Sequence, residues 1–324
     1  MSGWLPSAPC TPEDCVSGPV SGVSVPRRVL RCLVLAAVLA VGLALAPLLA
    51  RPAGARERGH MGQGQERGMP ADRLISGWSR LLVAALGVRI RAAGPSRAAS
   101  AVTGRDHGRD LGALLVANHV SWLDVLLIEA VRPGRMLAKT EVRGWPLFGR
   151  LAAGIGTIFI ERDRLRALPR TVEQITAALR RGEHVVVFPE GSTWCGRGGG
   201  RFRPAAFQAA LEAGAPVQPV AIRYRLAGGE PTTAPAFVGE DGLLPSLWRV
   251  VSVRGLVAEL TLLPEIPAGR HPERRSLARA AQRSVQGHHG HPHPGPAAVR
   301  PLHPSRGQAG PLHPVHLTCE EYAA

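Results

Sequence analysis

The chain has 324 residues, 45% of them hydrophobic and only 4% aromatic, and a formal net charge of +15. That length allows one large domain or two small ones around a core of Leu, Val, Ile and Ala, and the charge suits an anionic partner: nucleic acid, anionic lipid or a phosphorylated substrate. Nucleic acid is set aside, because the chain shows no basic region followed by heptads, no paired-Cys zinc spacing and no aromatic-rich RNA-binding strand.

All but one of the 39 Lys+Arg residues are arginine, the exception being Lys139; with 38 Gly and 29 Pro this marks a GC-rich genome before it marks a function. The cysteines, Cys10, Cys15, Cys32, Cys195 and Cys319, are scattered and odd in number. No disulfide framework follows, and a reducing compartment is expected.

Residues 1–26 are rich in Pro, Ser and Gly and read as disordered. Residues 27–51 read as a membrane helix: Leu33 to Ala50 is an uncharged apolar run flanked by Arg27, Arg28, Arg31 and Arg51. It is just long enough to span or dip into a bilayer. A cleaved signal peptide is the rival reading, since the run follows a basic region. Residues 52–73 form a Gly/Arg/Glu linker. In 74–91, Leu74, Trp78, Leu81, Leu82, Ala85 and Leu86 fall on one helical face, with Arg73, Arg80 and Arg89 among the other positions. This basic amphipathic helix either lies in a membrane interface or packs on the domain.

The folded body continues to residue 286. LGALLVANH reads as a strand into a loop, SWLDVLLIEAV as a helix, RMLAKTEV as a short strand, GWPLFGRLAAG as a helix and GTIFIER as a strand. ALPRTVEQITAALRRG is a helix, EHVVVFPEG a strand into a turn, PAAFQAALEAG a helix, VQPVAIRY a strand and LVAELTLLPEI a late strand. This alternation predicts an α/β domain over 74–286, with a largely parallel central sheet flanked by helices. Residues 287–324, rich in His and Pro, read as a disordered tail, with metal binding the alternative for such a tract.

Three stretches could carry chemistry. His119 follows a strand and precedes a helix, where ligands sit in α/β domains. Its imidazole can take a proton from a hydroxyl, with Asp124 fixing its tautomer. By local rules alone, however, Ser121-x-x-Asp124 fits a capping box, with Ser121 as N-cap and His119 a loop residue. In VVVFPEGST, Pro189 ends a buried strand and Gly191 permits a tight turn with exposed backbone N–H groups. That turn suits a phosphate or a hydroxylated headgroup, or is an ordinary strand end. Lys139 and Arg162 fall at the ends of two strands, as two phosphate-binding cations or as solvated surface charges.

Together these segments resemble the glycerolphosphate acyltransferase family, whose bacterial members include 1-acyl-glycerol-3-phosphate acyltransferases. Four blocks are similar in order: NHVSWLD (118–124), GTIFIER (156–162) preceded by Lys139, Glu141, Pro146 and Gly149, FPEGS (188–192), and PVQPVAI (216–222). The resemblance implies that His119 is the general base and Asp124 orients it, as in a Ser-His-Asp triad whose hydroxyl comes from the substrate. It implies that Arg162 and Lys139 hold the acceptor phosphate, and that Glu190, Gly191 and Ser192 bind the rest of the acceptor. Amides at the helix start near Ser121 are expected to help stabilise the oxyanion. The implied reaction moves an acyl chain from acyl-CoA or acyl carrier protein to 1-acyl-glycerol-3-phosphate, giving phosphatidic acid, with no metal and no other cofactor. A different lysolipid acceptor, such as lyso-ornithine lipid, or a thioesterase or lipid hydrolase using the same base, stays open. Many relatives carry an arginine soon after the EG(S/T) turn. Here Trp194 follows, and Arg197, Arg201 or Arg203 are the substitutes at hand. The expected location is the cell membrane, with the catalytic domain on the cytoplasmic side.

Overall fold

Leu114, Leu115, Val116 and Ala117 are all completely buried, as are Val185 and Val186. Strands with both faces covered read as continuous apolar runs, and they sit in the middle of parallel sheets. The computed structural model describes residues 8–18, 22–49, 69–94, 111–144, 149, 154, 156–161 and 164–289. In chain order its elements are α1 (Pro12–Cys15), α2 (Val25–Leu49), α3 (Met69–Ala85), β1 (Arg89–Ala93) and β2 (Leu114–Ala117). Then come α4 (Leu123–Val131), β3 (Arg135–Lys139), α5 (Thr140–Arg143), β4 (Ile158–Ile160), α6 (Leu168–Arg180) and β5 (Val185–Val187). The last are α7 (Ala205–Ala213), β6 (Val217–Leu226), α8 (Leu243–Ser252), β7 (Leu256–Leu262) and α9 (Arg274–His289).

Among the described residues the strands form one seven-stranded sheet in the order β1-β7-β6-β2-β5-β3-β4. Every pairing is parallel except β6 with β7. The expected α/β fold with a largely parallel sheet is therefore present. Alternation along the strands divides the core in two. Leu115, Ala117, Val186 and Ile222 join one layer with α3, α4 and α8; Leu114, Val116, Val185 and Ala221 join the other with α6, α7 and α9. Helix α6 shows why such segments are helical: Val172, Ile175, Ala178 and Leu179 are buried at i, i+3, i+6 and i+7, one apolar stripe at helical period. At Gly112, just before β2, the backbone leaves no room for a side chain: a Cβ there would lie 1.9 Å from the Glu183 carbonyl oxygen.

Several expectations change. The helix expected over 74–91 ends at Ala85; Gly87, at φ 78°, turns the chain, and Arg89–Ala93 becomes edge strand β1, paired with β7. The face buried on α3 is Ser79, Leu82, Val83 and Ala85, continued by Leu86 just past its end, so the helix packs on the domain, while Leu74 and Leu81 of the expected stripe stay exposed. Residues 1–26, expected to be disordered, include a packed segment: Cys10 and Cys15 are buried, and Ser17 N–H donates to Thr233 Oγ1 at 2.9 Å. Its buried cysteines and its hydrogen bonds to the body give it tertiary support that composition does not reveal. α2 is a helix, as expected, but among the described residues no helix is long and apolar enough to cross a membrane. α3 starts at Met69, inside the expected linker 52–73, and α9 runs to His289, past the expected start of the tail at 287; the rest of that linker and tail, and most of the helix expected over GWPLFGRLAAG, lie outside the described residues.

Candidate active site

β2, β5, β3, β4 and β6 run in one direction, so their C-terminal ends share one edge of the sheet. That edge receives His119 after β2, Glu190 after β5 and Lys139 at the end of β3. Side chains remote in sequence meet there because of strand direction, as at other α/β ligand sites.

His119 Nδ1 lies 2.9 Å from Asp124 Oδ2. The same oxygen accepts the backbone N–H of Val120 at 2.7 Å and of Ser121 at 2.8 Å. The other oxygen, Oδ1, accepts the hydroxyl of Tyr224 at 2.5 Å. Asp124 is fully buried, whereas the His119 side chain keeps one-fifth of its surface exposed (20%). A carboxylate with four donors around it is a fixed acceptor. It sets Nδ1 as the protonated nitrogen, so Nε2 carries the lone pair for a substrate proton. The ring also stacks on Phe188, with centroids 3.9 Å apart and planes 16° from parallel.

The capping box takes a different form. α4 begins at Leu123, with Trp122 in the cap position and no side-chain bond from it. Asp124 caps backward onto the loop, and Ser121 Oγ accepts Leu123 N–H at 3.3 Å. Capping and orienting His119 are thus done together, largely by one oxygen. Four of the amides at this helix start, among which oxyanion donors are expected, are already engaged: Val120 and Ser121 N–H by Asp124, Leu123 N–H by Ser121 Oγ, and Asp124 N–H by the Ser121 carbonyl at 3.0 Å.

The loop after β5 fixes His119 from the other side. Glu190 Oε2 accepts His119 N–H at 2.8 Å, and Trp194 N–H donates to the His119 carbonyl at 2.7 Å. Glu190 Oε1 accepts Gly200 N–H at 3.1 Å. Glu190 is 5% exposed; burial pushes its carboxyl up to about 8, the His119 and Gly200 amides pull it down, and the Asp124 charge raises it. Both oxygens being bonded to backbone, Glu190 ties two loops together within the site. Gly191 N–H donates to the Phe188 carbonyl at 3.1 Å and closes the turn that leads to partly exposed Ser192.

Asn118 joins the loop to β6: its amide donates to the Ile222 carbonyl at 3.0 Å and accepts Ile222 N–H at 2.8 Å. Lys139 is exposed and pairs in register with Ile160 of β4, while Arg162 lies outside the described residues. Arg197, Arg201 and Arg203 are exposed on the loop after Glu190. Tyr224 was missed from the sequence. Burial, followed by the Asp124 charge, raises its hydroxyl well above the ordinary tyrosine value, so it stays a donor. Its only sequence signal is that it is the one aromatic residue of strand β6.

Residues 99–223 match the family model described as Acyltransferase. The chain is 36% identical over 175 residues to a 1-acyl-sn-glycerol-3-phosphate acyltransferase of Neisseria gonorrhoeae, covering 54% of this chain and 68% of the relative. It is 43% identical over 176 residues to a lyso-ornithine lipid O-acyltransferase of Pseudomonas aeruginosa (53% and 66% covered), and 34% identical over 214 residues to one of Rhizobium meliloti (62% and 70%). The crystal structure of the 1-acyl-sn-glycerophosphate (LPA) acyltransferase PlsC from Thermotoga maritima shares the fold at a TM-score of 0.53 and 18% identity, over 81% of this chain and 95% of that one.

Proposed function

We propose a mechanism and an acceptor for a chain that belongs to the bacterial glycerolphosphate acyltransferase-like family. It is a lysolipid acyltransferase. The observation that carries the mechanism is the 2.9 Å His119–Asp124 contact on a buried carboxylate, beside a partly exposed imidazole.

His119 Nε2 takes the proton from the acceptor hydroxyl as its oxygen attacks the thioester carbonyl of acyl-CoA or acyl carrier protein. Asp124, held by Tyr224 and two amides, stabilises the imidazolium that forms. On collapse of the tetrahedral intermediate the C–S bond breaks, and the His119 proton goes to the leaving sulfur. No other cofactor takes part. The acceptor is 1-acyl-glycerol-3-phosphate and the product phosphatidic acid. Lys139, Arg162 and the exposed Arg197, Arg201 and Arg203 supply cations for its phosphate, and the Gly191–Ser192 turn binds the glycerol part. The 43% identity to a lyso-ornithine lipid O-acyltransferase favours a second reading, in which lyso-ornithine lipid is the acceptor.

The enzyme works at the cytoplasmic face of the cell membrane. Supporting this, α2, α3 and α8 expose Leu30, Leu33, Val41, Leu81, Leu244 and Trp248, and Arg28 lies over the Trp248 ring, 5.8 Å from its centroid. Apolar side chains with arginines beside them suit an anionic lipid surface.

The test is a panel of lysolipid acceptors with both acyl donors, read by mass spectrometry. Phosphatidic acid should form with wild type and not with His119→Ala, which keeps its circular dichroism and melting temperature. Wild-type rates in His119→Ala would sink the mechanism; free acid released without any lysolipid would indicate a hydrolase.

A further inference from the structure

We propose that Cys10, Cys15 and Cys195 form a structural metal site for one thiophilic divalent ion of the zinc class. Their sulfur atoms all lie within 4.8 Å of one another. All three residues are buried, at 2%, 1% and 1% exposure, and no disulfide joins any two of them. Two come from the N-terminal segment and the third from the loop after β5, so the fold assembles the cluster.

A disulfide uses two sulfurs and would leave the third over. Three sulfurs around one point are what a metal ion takes. With Zn–S bonds of about 2.3 Å, tetrahedral thiolates sit roughly 3.8 Å apart, inside the observed spread. Cys10-x4-Cys15 is close to the short Cys pairs of zinc sites. Turn α1 between them is fixed by Thr11, whose Oγ1 accepts Asp14 N–H at 3.2 Å. Three thiolates hold the ion, and its fourth position goes to water or an added thiol. The sequence offers only the Cys10–Cys15 pair; the third ligand is remote and only the fold brings it in.

The site clamps the N-terminal segment onto the back of the catalytic loops. Trp194, next to Cys195, donates its N–H to the His119 carbonyl at 2.7 Å. Thr193, on the same loop, bonds the Phe237 carbonyl, and Phe237 N–H donates to the Val120 carbonyl at 2.9 Å. Ser17 of the N-terminal segment meets Thr233 on that same outer loop, 2.9 Å between hydroxyl oxygens. The ion would join the two ends of this chain of contacts at its sulfurs.

The test uses the full chain, purified under reducing conditions without chelator, and none of its readouts depends on acyl transfer. Elemental analysis should find about one zinc per chain. Cobalt replacement should give thiolate-to-cobalt charge-transfer absorption in the near ultraviolet. C10A/C15A keeps small apolar side chains at both positions; folded by circular dichroism, it should lose both signals. Should that variant fail to fold, chelation decides instead, and the melting temperature of wild type should fall on removing zinc. The proposal is overturned if folded wild type carries no stoichiometric zinc and gives no cobalt charge-transfer band, if thiol counting finds a disulfide among the three, or if Cys195→Ala binds cobalt as wild type does. Three buried thiols would then be apolar core filling.

Discussion

At the residue scale the site turns on Asp124. Its two oxygens have separate partners: Oδ2 holds His119 and two amides, and Oδ1 holds Tyr224. A hydrogen bond to a charged group is worth about 1.5–3 kcal/mol, and about 1.4 kcal/mol in a barrier is tenfold in rate. Tyr224→Phe should therefore stay folded, lose about tenfold or more in kcat and leave acceptor KM nearly unchanged, as steady-state kinetics would show. A large rise in KM with kcat intact would instead put Tyr224 in acceptor binding. The His119–Asp124 contact was legible because the two residues fall within one loop and one helical turn, but local rules read a capping box there as readily, and only the four similar blocks together favoured the pair. Tyr224 was not, because only the pairing of β2 with β6 brings it to Asp124. The working of Glu190 was half legible: the FPEG turn marks its position, but nothing local says that both oxygens go to backbone.

At the scale of elements, the strands were legible where both faces are buried, since three or four consecutive apolar residues leave little choice. β1 was not, because Val88 and Ile90 continue an apolar pattern that a helix from Leu74 also satisfies, and only the partner β7 decides. α8 escaped because Leu244 and Trp248 stay exposed, which blurs its buried stripe of Val250 and Val251. α4 carries a liability near its end. Glu129 is 4% exposed, and its Oε1 has no hydrogen-bond partner among the described residues. Burial raises its carboxyl from 4.5 to about 8, against a lowering backbone bond from Gly134 and with a smaller push from Asp72. The folded chain therefore holds this proton where the unfolded chain releases it. The contribution to stability is full below about pH 4.5, declines as pH rises and is gone above about 8. Glu129→Gln should melt progressively higher than wild type across that window by calorimetry. A melting-temperature difference that stays flat with pH would show that Glu129 does not titrate there.

At the scale of the whole molecule, the basic charge was legible from composition but its arrangement was not. The exposed apolar side chains of α2, α3 and α8 come from three separate stretches, and only packing sets α2 against α3 and α8. Burying one large aliphatic side chain is worth about 1.5–3 kcal/mol, so Leu33→Asp should weaken binding to anionic vesicles roughly tenfold or more. Raising salt should weaken wild-type binding further, since Debye screening shortens the reach of the arginines. Vesicle co-sedimentation reads both effects. If the variant bound as wild type does, the contact face would lie elsewhere. The N-terminal segment is the other feature seen only at this scale: its composition reads as disorder, yet it is tied to residues more than two hundred positions away.

One consequence follows from the way both backbone groups of His119 are held, its N–H by Glu190 and its carbonyl by Trp194. A chain still on the ribosome can contain His119 and Asp124 and have no oriented imidazole, because the residues that pin the histidine have not yet been made. Closing that contact across some seventy residues costs loop entropy that a local pair does not. Acyl-transfer activity therefore arrives with the tertiary fold rather than with the motif. The same coupling makes acyl transfer a reporter of folding: a chain that opens locally at the β5 loop goes silent before its sheet comes apart.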